Sequence, residues 1–109
     1  MDIVEAIERI HDVLHDVSLE EFEADWQKQW LVERGIEIIS EASGHLADDL
    51  KTRHPEISWQ KVAGIGNVLR HNYENIAAPI LWKLAQADLA ALEEVCRTEL
   101  DAEEDDEDL

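Results

Sequence analysis

Gly64-Ile65-Gly66-Asn67-Val68-Leu69-Arg70-His71-Asn72-Tyr73 is the stretch from which the fold is read. Val62, Ile65, Leu69 and Tyr73 recur at three- and four-residue spacing, which predicts a helix with one buried stripe. Asn67 and His71 stand four apart and share a face. Arg70 is one step from His71, about 100° round a helix of roughly 3.6 residues per turn. In this stretch alone a possible general base, a possible phosphate binder and an aromatic hydroxyl lie within a few turns of each other. The plain alternative is a helix end whose histidine is simply solvated.

Upstream, Ile3, Ile7, Ile10, Leu14 and Val17 form the stripe of a first helix, from Asp2 to about Asp16. His11 and His15 have the spacing of a metal pair, but no third ligand is evident, so no metal site is assigned. Ser18-Leu19-Glu20-Glu21 reads as a capping box with Val17 as its hydrophobic staple. A helix then carries Trp26 and Trp30 to about Thr52, with a break expected near Ala24–Gln27. Its stripe is Val32, Ile36, Ile39, Ser43, Leu46 and Leu50, widened by Leu31, Ile38 and Ala42. Gly35 and Gly44 each cost on the order of 1 kcal/mol against alanine in a helix, which points to close helix approach. The Trp26/Trp30 pair reads as core or dimer-interface packing before it reads as a ligand platform.

His54-Pro55 ends this segment, because the residue before proline avoids the α region. Ser58 is the expected N-cap of the helix containing Gly64–Tyr73. Asn75 or Ala78-Pro79 opens the last helix, with Pro79 in its first turn. Ile80, Leu84, Ala91 and Val95 give its stripe, broadened by Leu81, Leu89, Leu92 and Cys96. The reading is one helical domain over 1–100 and an acidic tail over 101–109, which has no apolar periodicity and is expected to be disordered.

The chain has 109 residues, 45% of them hydrophobic, which suits one domain with a small core. Its formal charge is -18, and the eight acids of residues 99–109 still leave -10 on the remainder. Broad binding to a phosphate backbone is disfavoured by that field, so any RNA contact must be local. Arg53, His54, Lys61, Arg70 and His71 form the basic-leaning region. An acidic chain also suits a more basic protein partner. Cys96 is the single cysteine, which excludes an internal disulfide or a zinc ribbon and fits a cytoplasmic setting. No apolar run approaches a membrane span, and Asp2 and Glu5 argue against a signal peptide.

The ordered motifs His54-Pro55-Glu56-Ile57-Ser58-Trp59, Ala63 to Tyr73, and Ile80-Leu81-Trp82 resemble the HepT-like family of the HEPN superfamily. Ile38-Ile39-Ser40-Glu41-Ala42 is similar to that family's Gly-Glu-Ala helix, with Ser40 in place of the glycine. The resemblance covers about Ile3 to Leu92. It implies an all-α bundle of four or five helices, usually a homodimer. It further implies a metal-independent ribonuclease toxin without a cofactor, paired with a MntA-type nucleotidyltransferase antitoxin. The family signature is Arg, four residues, His, one residue, Tyr; His71 and Tyr73 match, and Gly66 stands at the arginine position. By resemblance Tyr73 is the residue that the partner modifies with AMP.

Metal-free cleavage of RNA needs a base near the 2'-hydroxyl and a cation for the developing phosphorane charge. His71 suits the first role, since imidazole titrates near neutrality. Asn67 is placed to orient His71 or touch a phosphate; its plain reading is an ordinary polar residue. Gly66 cannot supply the cation. Arg70 is the nearest spare one but lies on another face, and a dimer could instead present Arg70 or Arg53 from the second subunit. Lys61 is a further candidate contact to phosphate. The plain reading of Tyr73 is a ring closing the core with its hydroxyl at the rim. Three functions are therefore open: a ribonuclease toxin weakened or silenced by Gly66, a non-catalytic helical dimer that binds a nucleotidyltransferase, or a bundle bound to an unrelated partner. Gly66→Arg is expected to restore cleavage and, where the position is exposed, to add nearly 1 kcal/mol of helix stability.

Overall fold

The computed structural model describes residues 2–72 and 78–107, with every side chain among them except those of residues 68, 70–72 and 103–107. Helix α1 (Asp2–Leu14) buries Ile3, Val4, Ala6, Ile7, Ile10 and Leu14. It stops short of the expected Asp16 because Asp16 takes a left-handed φ of 59°, a conformation that closes a helix. Helix α2 (Leu19–Ala24) opens on the expected cap: Ser18 Oγ accepts from the Glu21 N–H and donates to its carboxylate, both at 3.1 Å.

Asp25 makes the break before α3 (Trp26–Gly44). Its backbone is extended, and its Oδ1 accepts from the N–H groups of Gln27 at 3.1 Å and Lys28 at 3.2 Å. The Gln29 amide donates to the carbonyls of Phe22 at 2.9 Å and Glu23 at 3.1 Å at the end of α2, where the Phe22 carbonyl also accepts from the Asp25 N–H at 3.2 Å.

Helix α3 does not run to Thr52 as the sequence leads one to expect. It ends at Gly44, where the N–H groups of His45 and Leu46 bond to Ala42 and Ser43, three residues back, and tighten the last turn. A separate helix α4 (Asp48–Arg53) follows. Asp48 and Asp49 lie in its first turn, where acids favour a helix start. The two glycines of α3 also differ. A Cβ on Gly35 would stand 2.8 Å from Ile10 Cδ1, so Gly35 marks the close approach of α1, whereas one on Gly44 would meet nothing within 4 Å.

Helix α5 (Trp59–Asn72) begins after Ser58, whose carbonyl accepts from the Val62 N–H at 3.1 Å as an N-cap carbonyl does. Trp59 Nε1 donates to the carbonyls of Lys51 at 3.2 Å and His54 at 3.1 Å, fastening the start of α5 to the end of α4 across Pro55.

The last helix is continuous through three parts: α6 (Ala78–Lys83), a π turn (Leu84–Asp88) and α7 (Leu89–Glu107). The π turn corrects the expected stripe. Leu81, Ala85, Leu89, Leu92, Val95 and Cys96 are buried, while Ile80 is 56% exposed and Ala91 faces outward. Leu81, Ala85 and Leu89 follow at steps of four residues, and the wider turn through Leu84–Asp88 suits that spacing. The helix also continues past Asp101, where disorder was expected, to Glu107.

α3 is the centre of the bundle, with α1 on one side and α5 on the other; α7 packs on α1, and α6 packs on α2 and α3. Phe22 and Trp82, with ring centroids 5.6 Å apart, join α2 to α6. Trp26, Trp30 and Leu31 are not core residues; they are 59%, 61% and 58% exposed, and the two indoles meet edge to face at 5.0 Å. The fold is all-α, with no strand among the described residues.

Candidate functional site

The seam between α3 and α5 positions the candidate site. Ile36 and Ile39 of α3 and Leu69 of α5 are buried in the core, with Val62 and Ile65 packed against it. Ser40 breaks this apolar surface at one point. Its Oγ donates to the Ala63 carbonyl at 2.7 Å and accepts from the Gly66 N–H at 3.1 Å. Gly66 is buried there. The condition for a stability gain from Gly66→Arg, an exposed site, is therefore not met.

Asn67 follows on α5 with an exposed residue surface. Arg70 and His71 lie in the last turns of the same helix; their side chains are outside the described residues, as is the whole of Tyr73. α5 is an α-helix throughout, so positions 66 and 71 lie about 140° apart round its axis.

Arg53 and His54, two members of the expected basic region, are tied to α7. Arg53 grips Glu99 through Nε at 3.1 Å and its terminal nitrogen at 2.8 Å. His54 Nε2 meets the same carboxylate at 2.6 Å, and its Nδ1 meets Glu56 at 3.2 Å. Arg53 beside it, and then His54, hold the Glu99 carboxyl down at about 2, while Glu99 raises the His54 pKa. In this arrangement the fork of Arg53 is occupied by a carboxylate. The sequence gives little sign of the clamp, because its two sides are more than forty residues apart and Glu99 looks like the first acid of the tail.

Lys61 is exposed beside a groove of about 860 Å³ between α3, α5 and the last helix. The groove is floored by aliphatic residues such as Ile39, Val62, Ile65 and Leu84, with Glu56 and Asp88 among its charged members. Cys96 is fully buried, and burial pushes its thiol up to about 11, which disfavours the thiolate. The His15 ring meets the Asp16 carboxylate at 3.3 Å. Among the described residues no group of three or more His, Cys, Asp or Glu could hold a metal ion. No helix among them is long and apolar enough to cross a membrane.

Comparison with known proteins adds to this geometry. Residues 3–99 match the family described as ribonuclease HepT-like. A Thermococcus cleftensis protein with the name "Probable ribonuclease HepT" is 38% identical over 91 residues, covering 84% of this chain and 83% of its own. Two Methanocaldococcus jannaschii proteins, each named as an inferred RNase, are 31% identical. One alignment covers 81% of both chains; the other covers 97% of this chain and 88% of the relative. No solved structure matches the chain.

Proposed function

The chain belongs to the ribonuclease HepT-like family, and from that premise we propose that it is the toxin of a toxin–antitoxin pair whose RNA-cleaving activity is lowered by Gly66. The observation that carries this reading is the family match over residues 3–99, which includes the helix with Gly66, Asn67 and His71 in the signature's order. In the proposed reaction His71 takes the proton of a ribose 2'-hydroxyl. The freed oxygen attacks the neighbouring phosphorus, the bond from phosphorus to the 5'-oxygen breaks, and that oxygen takes a proton from water, giving a 2',3'-cyclic phosphate. Asn67 orients the imidazole or touches the phosphate. Arg70, one residue from His71, is the proposed nearest cation, and Lys61, about 15 Å back along α5, is a further proposed contact to the RNA backbone; Arg53 contributes only where it is released from Glu99.

The proposed assembly is a homodimer, with a MntA-type nucleotidyltransferase as partner. Support comes from the apolar groove beside α5 and the exposed patch of Trp26, Trp30 and Leu31, since large exposed apolar surfaces mark interaction sites. A second reading, a non-catalytic dimer that keeps only partner binding, is favoured by the missing cation at position 66.

Tyr73 is the proposed acceptor of AMP. The added phosphate brings bulk and negative charge two residues from His71, which opposes binding of an RNA phosphate. Incubation with the cognate nucleotidyltransferase and ATP is expected to add AMP-sized mass, and Tyr73→Phe to abolish the addition. Mass that persists in Tyr73→Phe overturns this role.

A further inference from the structure

We propose that Ser40 is a positioning residue: through its hydroxyl, α3 sets the register and roll of the end of α5 that bears Asn67 and His71. This deepens the functional reading and rests on it for the meaning of that helix end.

α5 packs chiefly on α3, through aliphatic side chains. Such contacts are non-directional and tolerate small slides. A hydroxyl that donates and accepts at once is directional. Ser40 Oγ meets the Ala63 carbonyl at 2.7 Å and the Gly66 N–H at 3.1 Å, so one oxygen spans a turn of α5 immediately before Asn67. Ser40 is 5% exposed, which keeps water from competing for these bonds. Its own place is also fixed: its carbonyl accepts from Ser43 Oγ at 2.8 Å, and Ser43 is fully buried. With glycine at 66, no side chain on that residue stands between the hydroxyl and the backbone amide. Ala63 and Gly66 lie within helical backbone, so loss of the hydroxyl leaves the helix intact and removes its directional link to α3.

Ser43 supplies the control, because its hydroxyl bonds within α3 alone. Ser40→Ala and Ser43→Ala are compared in the full chain by amide exchange at Gly66 and by the NMR signals of the His71 ring. In Ser40→Ala, exchange at Gly66 is expected to accelerate roughly fivefold, as for loss of one ordinary hydrogen bond, and the His71 signals to shift. Ser43→Ala should leave both unchanged. Where Ser40→Ala does not fold, Ser40→Cys, a near-isosteric weaker donor, is expected to move both signals in the same direction. The proposal is overturned if the Ser40 variant leaves both signals at their native values, or if Ser43→Ala moves them equally. If the signals respond as expected but neither the native chain nor Gly66→Arg cleaves RNA, positioning stands and the ribonuclease reading fails.

Discussion

Gly66 has two consequences at the scale of one residue. In the proposed chemistry, it leaves the site without the cation of the signature. Structurally, it lets α5 place a backbone amide 3.1 Å from Ser40 Oγ in a buried seam. Gly66 is buried in that seam, so an arginine there adds volume where the helices pack. Overpacking of this kind costs about 1–3 kcal/mol, against less than about 1 kcal/mol gained in helix propensity. Gly66→Arg is therefore expected to lower the thermal midpoint in calorimetry while it supplies the missing charge. An unchanged or raised midpoint would show that the side chain escapes to solvent without disturbing Ser40. The substitution itself was legible in the sequence; the Ser40 contact was not, because a serine in an apolar stripe does not reveal which carbonyl it faces.

At the scale of elements, the helices were legible wherever a local signal existed. The capping box at Ser18, the break before Trp26 and the stop at His54-Pro55 fall where the residues place them, since caps and proline act within a few positions. The gap between α3 and α4 has a weaker signal, since only Asp48 and Asp49 in the first turn of α4 mark a helix start. The π turn has no such local signal: a uniform period of 3.6 cannot represent one widened turn, and Ile80 and Ala91, which fit that period, are exposed. Glycine shows the same limit, because Gly35 and Gly44 look alike in sequence. Gly35→Ala is expected to destabilise by about 1–2 kcal/mol, because Ile10 is packed against it. Gly44→Ala, with open space around it, is expected to be neutral or to stabilise by up to about 1 kcal/mol. Equal effects in denaturant titrations would contradict the assigned close approach of α1 and α3.

For the whole molecule, the clamp of Arg53 and His54 on Glu99 decides how an acidic chain holds its longest helix against the α4–α5 corner. Glu99, with its pKa lowered to about 2 from an ordinary 4.5, contributes stability that is present above 4.5 and lost as pH falls towards 2. His54, with its pKa raised from 6.5, contributes stability that is full below 6.5 and lost as pH rises through the raised value. The two windows overlap between about pH 4.5 and 6.5. The difference in thermal midpoint between the native chain and Glu99→Gln should be largest there and shrink on either side. A difference independent of pH would mean that the clamp adds nothing electrostatic.

The central proposal, that α5 carries a HepT-type ribonuclease site whose activity is lowered by Gly66, is tested most directly by RNA cleavage with the native chain, Gly66→Arg, and Gly66→Arg combined with His71→Ala. One preorganised transition-state stabiliser is worth about a hundred- to a thousandfold in rate. Gly66→Arg is expected to cleave RNA faster than the native chain by about that factor, and His71→Ala to remove the gain. A Gly66→Arg protein that folds and dimerises yet leaves RNA intact would contradict the claim.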